Sequence, residues 1–200
     1  MGKVKYLNEI EKFINKCIVF EAKDIKRFLI SKKANPSYAY TILHNMAKKK
    51  KINRIVKGYY SKHDDPFLAA YCIKPSYIGL ESALSLHGLW EQETNVVLIT
   101  PRRVRSGLRK VLNANVVVHY SDKKFFFGYE YTDYYDLKLP VSDLEKTFID
   151  LAFYNKFLDK NLLKAFRKKI DYKKLKQYLN SYDKRFANRA LALLGERAAS

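Results

Sequence analysis

The sequence predicts an α+β protein with two domains. Residues 1–62 read as a winged helix-turn-helix, and residues 63–200 as an α+β domain with a small mixed sheet and basic C-terminal helices. Three observations predict it. Apolar residues recur at three- and four-residue spacing in three successive N-terminal segments, which a short β-prone hairpin follows. In the middle of the chain the pattern changes to continuous apolar runs such as Val96–Thr100, the kind that a sheet buries on both faces. From Leu162 to Leu194 helical spacing returns, now dense in lysine.

The N-terminal elements follow in order. Tyr6, Leu7, Ile10, Phe13 and Ile14 make one amphipathic helix, and Val19-Phe20 a short extended link. Ala22 to Leu29 is a second helix with Ile25, Phe28 and Leu29 inward, and Ser31 to Ala34 a turn. Asn35 suits a helix N-cap and Pro36 a first turn, where its missing N–H costs nothing. Ala39, Ile42, Leu43, Met46 and Ala47 then form one apolar stripe, opposite Ser37, Tyr40, Thr41, His44 and Lys48. Ile52, Ile55 and Val56 lead into Lys57-Gly58-Tyr59-Tyr60, a hairpin that turns at the glycine. A helix with a hydrogen-bonding face beside a basic hairpin suits duplex DNA. On this reading Ser37, Tyr38, Tyr40, Thr41 and His44 face the major groove. Lys32 and Lys33 sit at its edge, and Lys48, Lys49, Lys50, Lys51, Arg54 and Lys57 meet phosphates.

Charge points the same way. The net charge is +19, and it is unevenly spread. Residues 1–62 hold 16 basic side chains against 4 acidic, residues 63–150 hold 10 against 12, and residues 151–200 hold 13 against 4. Basic ends around a neutral centre suit a polyanionic partner. A second basic surface is expected from Arg102, Arg103 and Arg105 together with Lys168, Lys169, Lys173 and Lys174. No run of eighteen apolar residues exists, and the N-terminus has no uninterrupted apolar segment, so neither a membrane span nor a leader is expected. Cys17 and Cys72 are too few for a disulfide framework or zinc site; free buried thiols in a cytoplasmic protein are expected.

In the second half, Ser76 or Gly79 opens a short helix that Gly88 ends. Val96–Thr100, Val116–Tyr120 and Leu137–Val141 are strands, Pro101–Gly107 a basic loop, and Phe125–Phe127 with Tyr129–Tyr131 more β-prone sequence. Ser142-Asp143-Leu144-Glu145 has capping-box form and opens a helix. His63, Asp64 and Asp65 read as a turn before Pro66, so no metal is expected, and no cofactor. Glu81, Glu145, Asp150, His87 and His119 are the candidate acids and bases. No glycine-rich phosphate loop, nucleophile elbow or paired metal motif accompanies them, and no enzymatic activity is expected.

Tyr77, Ile78, Glu81, Ser82, Ala83, Leu84, Gly88 and Leu89 carry a pattern that resembles the AbiEi-type antitoxins of type IV toxin–antitoxin systems. The apolar strand ending at Thr100 resembles them too, as do Val141, Asp143, Glu145, Lys146 and Asp150. Gly79 stands where that family often has serine. The resemblance implies a winged helix that binds inverted repeats in its own promoter and represses the operon. It also implies a C-terminal domain that counters a nucleotidyltransferase-like toxin, with or without stable contact. Two other readings remain open. One is a plain winged-helix regulator with a ligand-sensing or dimerisation domain. The other is an RNA-binding protein that uses Phe125, Phe126, Phe127, Tyr129 and Tyr131 as a stacking platform. No heptad seam is present, and a monomer in solution is expected.

Overall fold

The structure, a computed structural model, describes residues 6–91 and 95–196; residues 1–5 of the segment read for a leader lie outside them. Its class is α+β with a mixed sheet. The chain divides into two compact units: residues 1–72 with 110–115, and residues 73–109 with 116–200.

The first unit comprises α1 (Leu7–Ile14), β1 (Phe20–Glu21), α2 (Ala22–Ser31), α3 (Tyr38–Lys48), β2 (Asn53–Val56), β3 (Tyr59–Ser61), a 3₁₀ turn at Pro66–Leu68 and α4 (Ala69–Cys72). It runs past the break expected at Lys62, because Leu68, Ala69, Ala70 and Cys72 are buried and α4 lies against β2. The two-residue link at Phe20 becomes a sheet edge: β1 pairs antiparallel with β3, and β3 with β2. Ile10, Ile14, Ile25, Leu29, Ile42 and Leu43 close the core from three helices. α2 is opened by a true capping box, in which Glu21 and Asp24 each accept the other's backbone N–H. α3 starts later than Asn35 suggests. Asn35 Oδ1 accepts Ser37 N–H (2.9 Å), so it closes the turn before the helix, and Ser37 stands at the N-cap without a side-chain bond.

The larger sheet, whose strands belong to the second unit except for residues 110–115 at the β6–β7 turn, has the order β6-β7-β5-β4-β9-β8. These strands are β4 (Tyr77–Ile78), β5 (Val96–Thr100), β6 (Gly107–Val111), β7 (Ala114–Tyr120), β8 (Tyr129–Tyr134) and β9 (Leu137–Ser142). β5–β7 and β4–β9 are parallel, and β4–β5 and β8–β9 antiparallel. β5 is buried along its whole length, as a continuous apolar run requires. The helices are α5 (Leu80–Leu86), α6 (Leu144–Phe153), α7 (Lys160–Lys169), α8 (Tyr172–Leu179) and α9 (Lys184–Leu193). Gly79 is the N-cap of α5, and Tyr77-Ile78, expected in that helix by the Ser76 reading, instead pairs between two strands. The expected basic loop ends at Gly107, where β6 begins, an unexpected strand whose alternating Gly107–Val111 suits an edge. Phe125 lies in a 3₁₀ turn rather than a strand.

α6 is the centre of this unit, in contact with α5, α7, α8, α9 and β9 and buried from Glu145 to Ala152. Lys146 is fully buried on it. One turn on, Asp150 Oδ1 takes a short hydrogen bond from Lys146 Nζ, while its Oδ2 accepts from Tyr77 Oη at 2.8 Å. Nζ also donates to Tyr182 Oη (3.0 Å) and lies 5.1 Å from the Phe127 ring centre. Burial pushes Lys146 down and Asp150 up from their ordinary values, and each partner opposes the other's shift. The expected capping box of Ser142 and Glu145 does not form. Asp143 is the N-cap and accepts Lys146 N–H (2.8 Å), while Glu145 turns to the start of α8, to Asp171 N–H (2.8 Å) and Lys174 (3.4 Å). Ser142 belongs to β9 and shares a 2.7 Å bond with the Thr147 hydroxyl.

Removing either member of the α6 pair strands the other in the interior. Lys146→Met and Asp150→Asn should each cost about 3–5 kcal/mol in denaturant unfolding. The double variant should cost clearly less than the sum of the two.

Candidate nucleic-acid interface

α3 separates its side chains cleanly. Ala39, Ile42, Leu43 and Met46 are buried, while Ser37, Tyr40, Thr41, His44 and Lys48 are exposed in a row three and four residues apart. Asn45, which the sequence reading overlooked, is exposed on the same row beside Thr41 and Lys48. Its spacing was the available signal. Tyr38, also exposed, lies one position off the row.

The cations at the end of α3 fan out because the chain reverses there. Lys50 is left-handed (φ 55°), and Lys51 N–H returns to Met46 C=O at 2.9 Å. Lys48 lies in the last helical turn, where the helix dipole favours a cation. Beyond it the β2–β3 hairpin turns at Lys57-Gly58, with Gly58 at φ 87°. Gly58 C=O accepts Ala22 N–H (2.9 Å), which fixes the hairpin tip to the start of α2. Lys26, one turn further along α2, holds its ammonium 4.3 Å from the centre of the Tyr40 ring. This lysine was also missed. Its hydrogen bond and charge hold the Tyr40 phenol below the usual tyrosine range, and Lys57 acts in the same sense.

All thirteen residues expected at DNA are exposed, but they are not equivalent. Lys32 pairs with Glu9 (2.7 Å) and lies over the Tyr6 and Phe28 rings; Lys51 pairs with Glu11 (2.7 Å). Both acids belong to α1, so these two lysines are partly neutralised on that side. Among the described residues Lys33, Lys48, Lys49, Lys50, Arg54 and Lys57 have no carboxylate partner.

The residues of the expected second basic surface differ in their ties. Lys174 is held by Asp143 (3.0 Å) and Glu145, and Arg102 donates to Lys74 C=O (3.1 Å). Lys168 and Lys169 end α7, Lys173 begins α8, and Arg103 and Arg105 are exposed in the loop before β6. The aromatic stretch is largely turned inward. Phe125 stacks on Tyr182 at 4.3 Å, Phe127 meets Tyr178 edge-on, and Phe126 and Tyr129 pack on Tyr77; Tyr131 alone of the five is exposed.

Of the candidate acids and bases, Glu81 and His119 lie within electrostatic reach of each other and of Lys156. Glu81 pairs with Lys156 (3.2 Å), the His87 ring bonds Ser142 C=O (2.7 Å), and His119 lies against Tyr154. Burial, then Lys156, pushes the His119 imidazole down. No group of three metal-ligating side chains occurs among the described residues, and no described helix is long and apolar enough to cross a membrane. Cys17 and Cys72 are free thiols, the first only half-buried.

These features define a class: a two-unit α+β protein whose first unit presents a polar helix row flanked by unpaired cations. No family model and no curated protein matches the chain. Among solved structures it is similar to the crystal structure of the RV2827C protein from Mycobacterium tuberculosis, at a TM-score of 0.61. That match has 14% identity and covers 100% of this chain and 84% of the other, a likeness of fold alone.

Gly58 has open space around its Cα but a left-handed backbone. Gly58→Ala should therefore lower stability by about 1–2 kcal/mol through backbone strain alone, read from the unfolding midpoint.

Proposed function

We propose that the first unit is a winged helix and that the protein is a DNA-binding transcriptional autorepressor. The element order α1-β1-α2-α3-β2-β3 and the three-stranded sheet support the winged reading. One observation carries the proposal: the whole hydrogen-bonding row of α3 faces outward, between unpaired lysines at its C-terminal end and Lys57 on the hairpin. Side chains such as Thr41, His44 and Asn45 can meet base edges, while the lysines displace counterions from phosphates. The inward commitment of four of the five rings between Phe125 and Tyr131 favours duplex DNA over single-stranded RNA.

The motifs of the second unit, by their resemblance to AbiEi-type proteins, support a further role as an antitoxin against a nucleotidyltransferase-like toxin. The protein acts as a binder rather than an enzyme: Glu145 and Asp150 are engaged in ties within the unit.

Duplex titrations test the first role. Thr41→Ala, His44→Ala and Asn45→Ala should each cost about 1–3 kcal/mol on the preferred promoter wherever a base contact exists, and relax the preference. Lys49→Ala or Lys50→Ala should weaken all duplexes alike and flatten the salt dependence by about one unit. Unchanged selectivity in the triple variant would refute the helix assignment.

The antitoxin role is tested by coexpression with a nucleotidyltransferase-like toxin from the same operon. Rescue of growth is expected from the full chain and from the triple variant, because neutralisation is assigned to the second unit. No rescue by the full chain would leave a plain regulator.

A further inference from the structure

Resting on the duplex-DNA reading, we propose that Lys26, Tyr40 and Lys57 form one binding site for a single backbone phosphate, so that Tyr40 fixes the register of α3 and does not read a base. Three elements converge there. The start of α2 is bonded to the hairpin tip through Ala22 N–H and Gly58 C=O (2.9 Å), which brings Lys57 beside the first turns of α2. Lys26 projects from the next turn of α2 and lies 4.3 Å over the Tyr40 ring, at the α2 side of the α3 row. Tyr40 is 55% exposed, and a phenol that accepts from an ammonium keeps its own O–H to donate.

The local acids leave this site cationic. Glu21 and Asp24 are committed to the capping box, and Glu21 also holds Lys23 at 2.7 Å while Asp24 lies 3.8 Å from Arg27. Among the described residues neither Lys26 nor Lys57 pairs with a carboxylate. Two ammonium groups and a phenolic O–H suit a phosphate monoanion, which offers acceptors and no donor. In the major groove adenine and cytosine edges offer donors that these three side chains, with no acceptor besides the phenol oxygen, would leave unmet. Guanine N7 and O6 only accept but carry no net charge to match two ammonium groups. A ring held beneath an ammonium is also constrained in how far it can tilt into a groove. The depressed Tyr40 phenol agrees with two nearby cations but is not needed for the assignment.

The experiment is a salt-resolved titration of the full chain with its promoter duplex and with scrambled duplexes. Lys26→Gln should lower affinity for every duplex by the same factor and reduce the slope of log K against log salt by about one. Tyr40→Phe keeps the ring and removes the donor. It should weaken all duplexes roughly two- to tenfold with their ranking unchanged. The double variant should lose less than the product of the two single losses, because both serve one phosphate. Lys12→Gln, an exposed charge on α1, serves as the control and should leave the slope alone. A changed duplex ranking in Tyr40→Phe, or an unaltered salt slope in Lys26→Gln, would overturn the phosphate site while duplex binding by the unsubstituted chain stood. If the unsubstituted chain bound no duplex at all, the DNA reading itself would fall, and this site with it.

Discussion

The second unit depends on one interaction, the ion pair of Lys146 and Asp150 inside α6. Both side chains are withdrawn from water, and desolvation of each charge is offset only while the other stays within hydrogen-bond reach. That condition reaches beyond the helix. Asp150 needs the Tyr77 hydroxyl from β4, and Lys146 needs the Tyr182 hydroxyl from the segment after α8. Gly128 admits the arrangement, since a Cβ there would lie 2.8 Å from Lys146 Cβ and from Tyr178. The pair therefore sets the helix layer against the sheet at one position. An apolar contact of the same size would tolerate sliding.

Other polar residues of the second unit are ties of this kind. Ser82 Oγ donates to Asn95 C=O and accepts Val97 N–H, and Thr100 Oγ1 donates to Pro75 C=O. Asp143 caps α6 and takes bonds from Tyr178 and Lys174. Burial and the bond to Asp143 push the Tyr178 phenol up to about 12. Such residues answer to the needs of a fold. They say less about a partner than an exposed polar row with no structural task, and the proposed DNA contact rests on α3 for that reason.

Ion pairs also decide which cations are available. Composition counts every lysine equally, but Lys32, Lys51 and Lys174 each lie within 3.5 Å of a carboxylate. Pairs as exposed as Glu9–Lys32 and Glu11–Lys51 add no more than about 1 kcal/mol and exchange readily with other anions. Their effect is on the local field: α1 is the less basic side of the first unit, and the α2–hairpin side the more basic. Lys26, unremarkable in the sequence, gains its significance from that difference.

The sequence by itself determined which faces are apolar. Spacing in α1, α2 and α3 and the continuous run of β5 fix burial without knowledge of neighbours, because a helix has one period and a doubly covered strand has none. The same spacing made the outward row of α3 legible, although Asn45 was passed over. Tertiary structure decided whatever depends on a partner distant in sequence. Glu145 lies at capping-box spacing, yet it is drawn to Asp171 N–H and Lys174, and Asp143 caps the helix instead. Tyr77-Ile78 has too few residues to announce a strand until β5 and β9 flank it. Lys26 reaches Tyr40 only because α2 packs beside α3. Periodicity reports the environment of a face, whereas the partner of a charge or hydrogen-bonding group is set by packing between segments far apart in the chain.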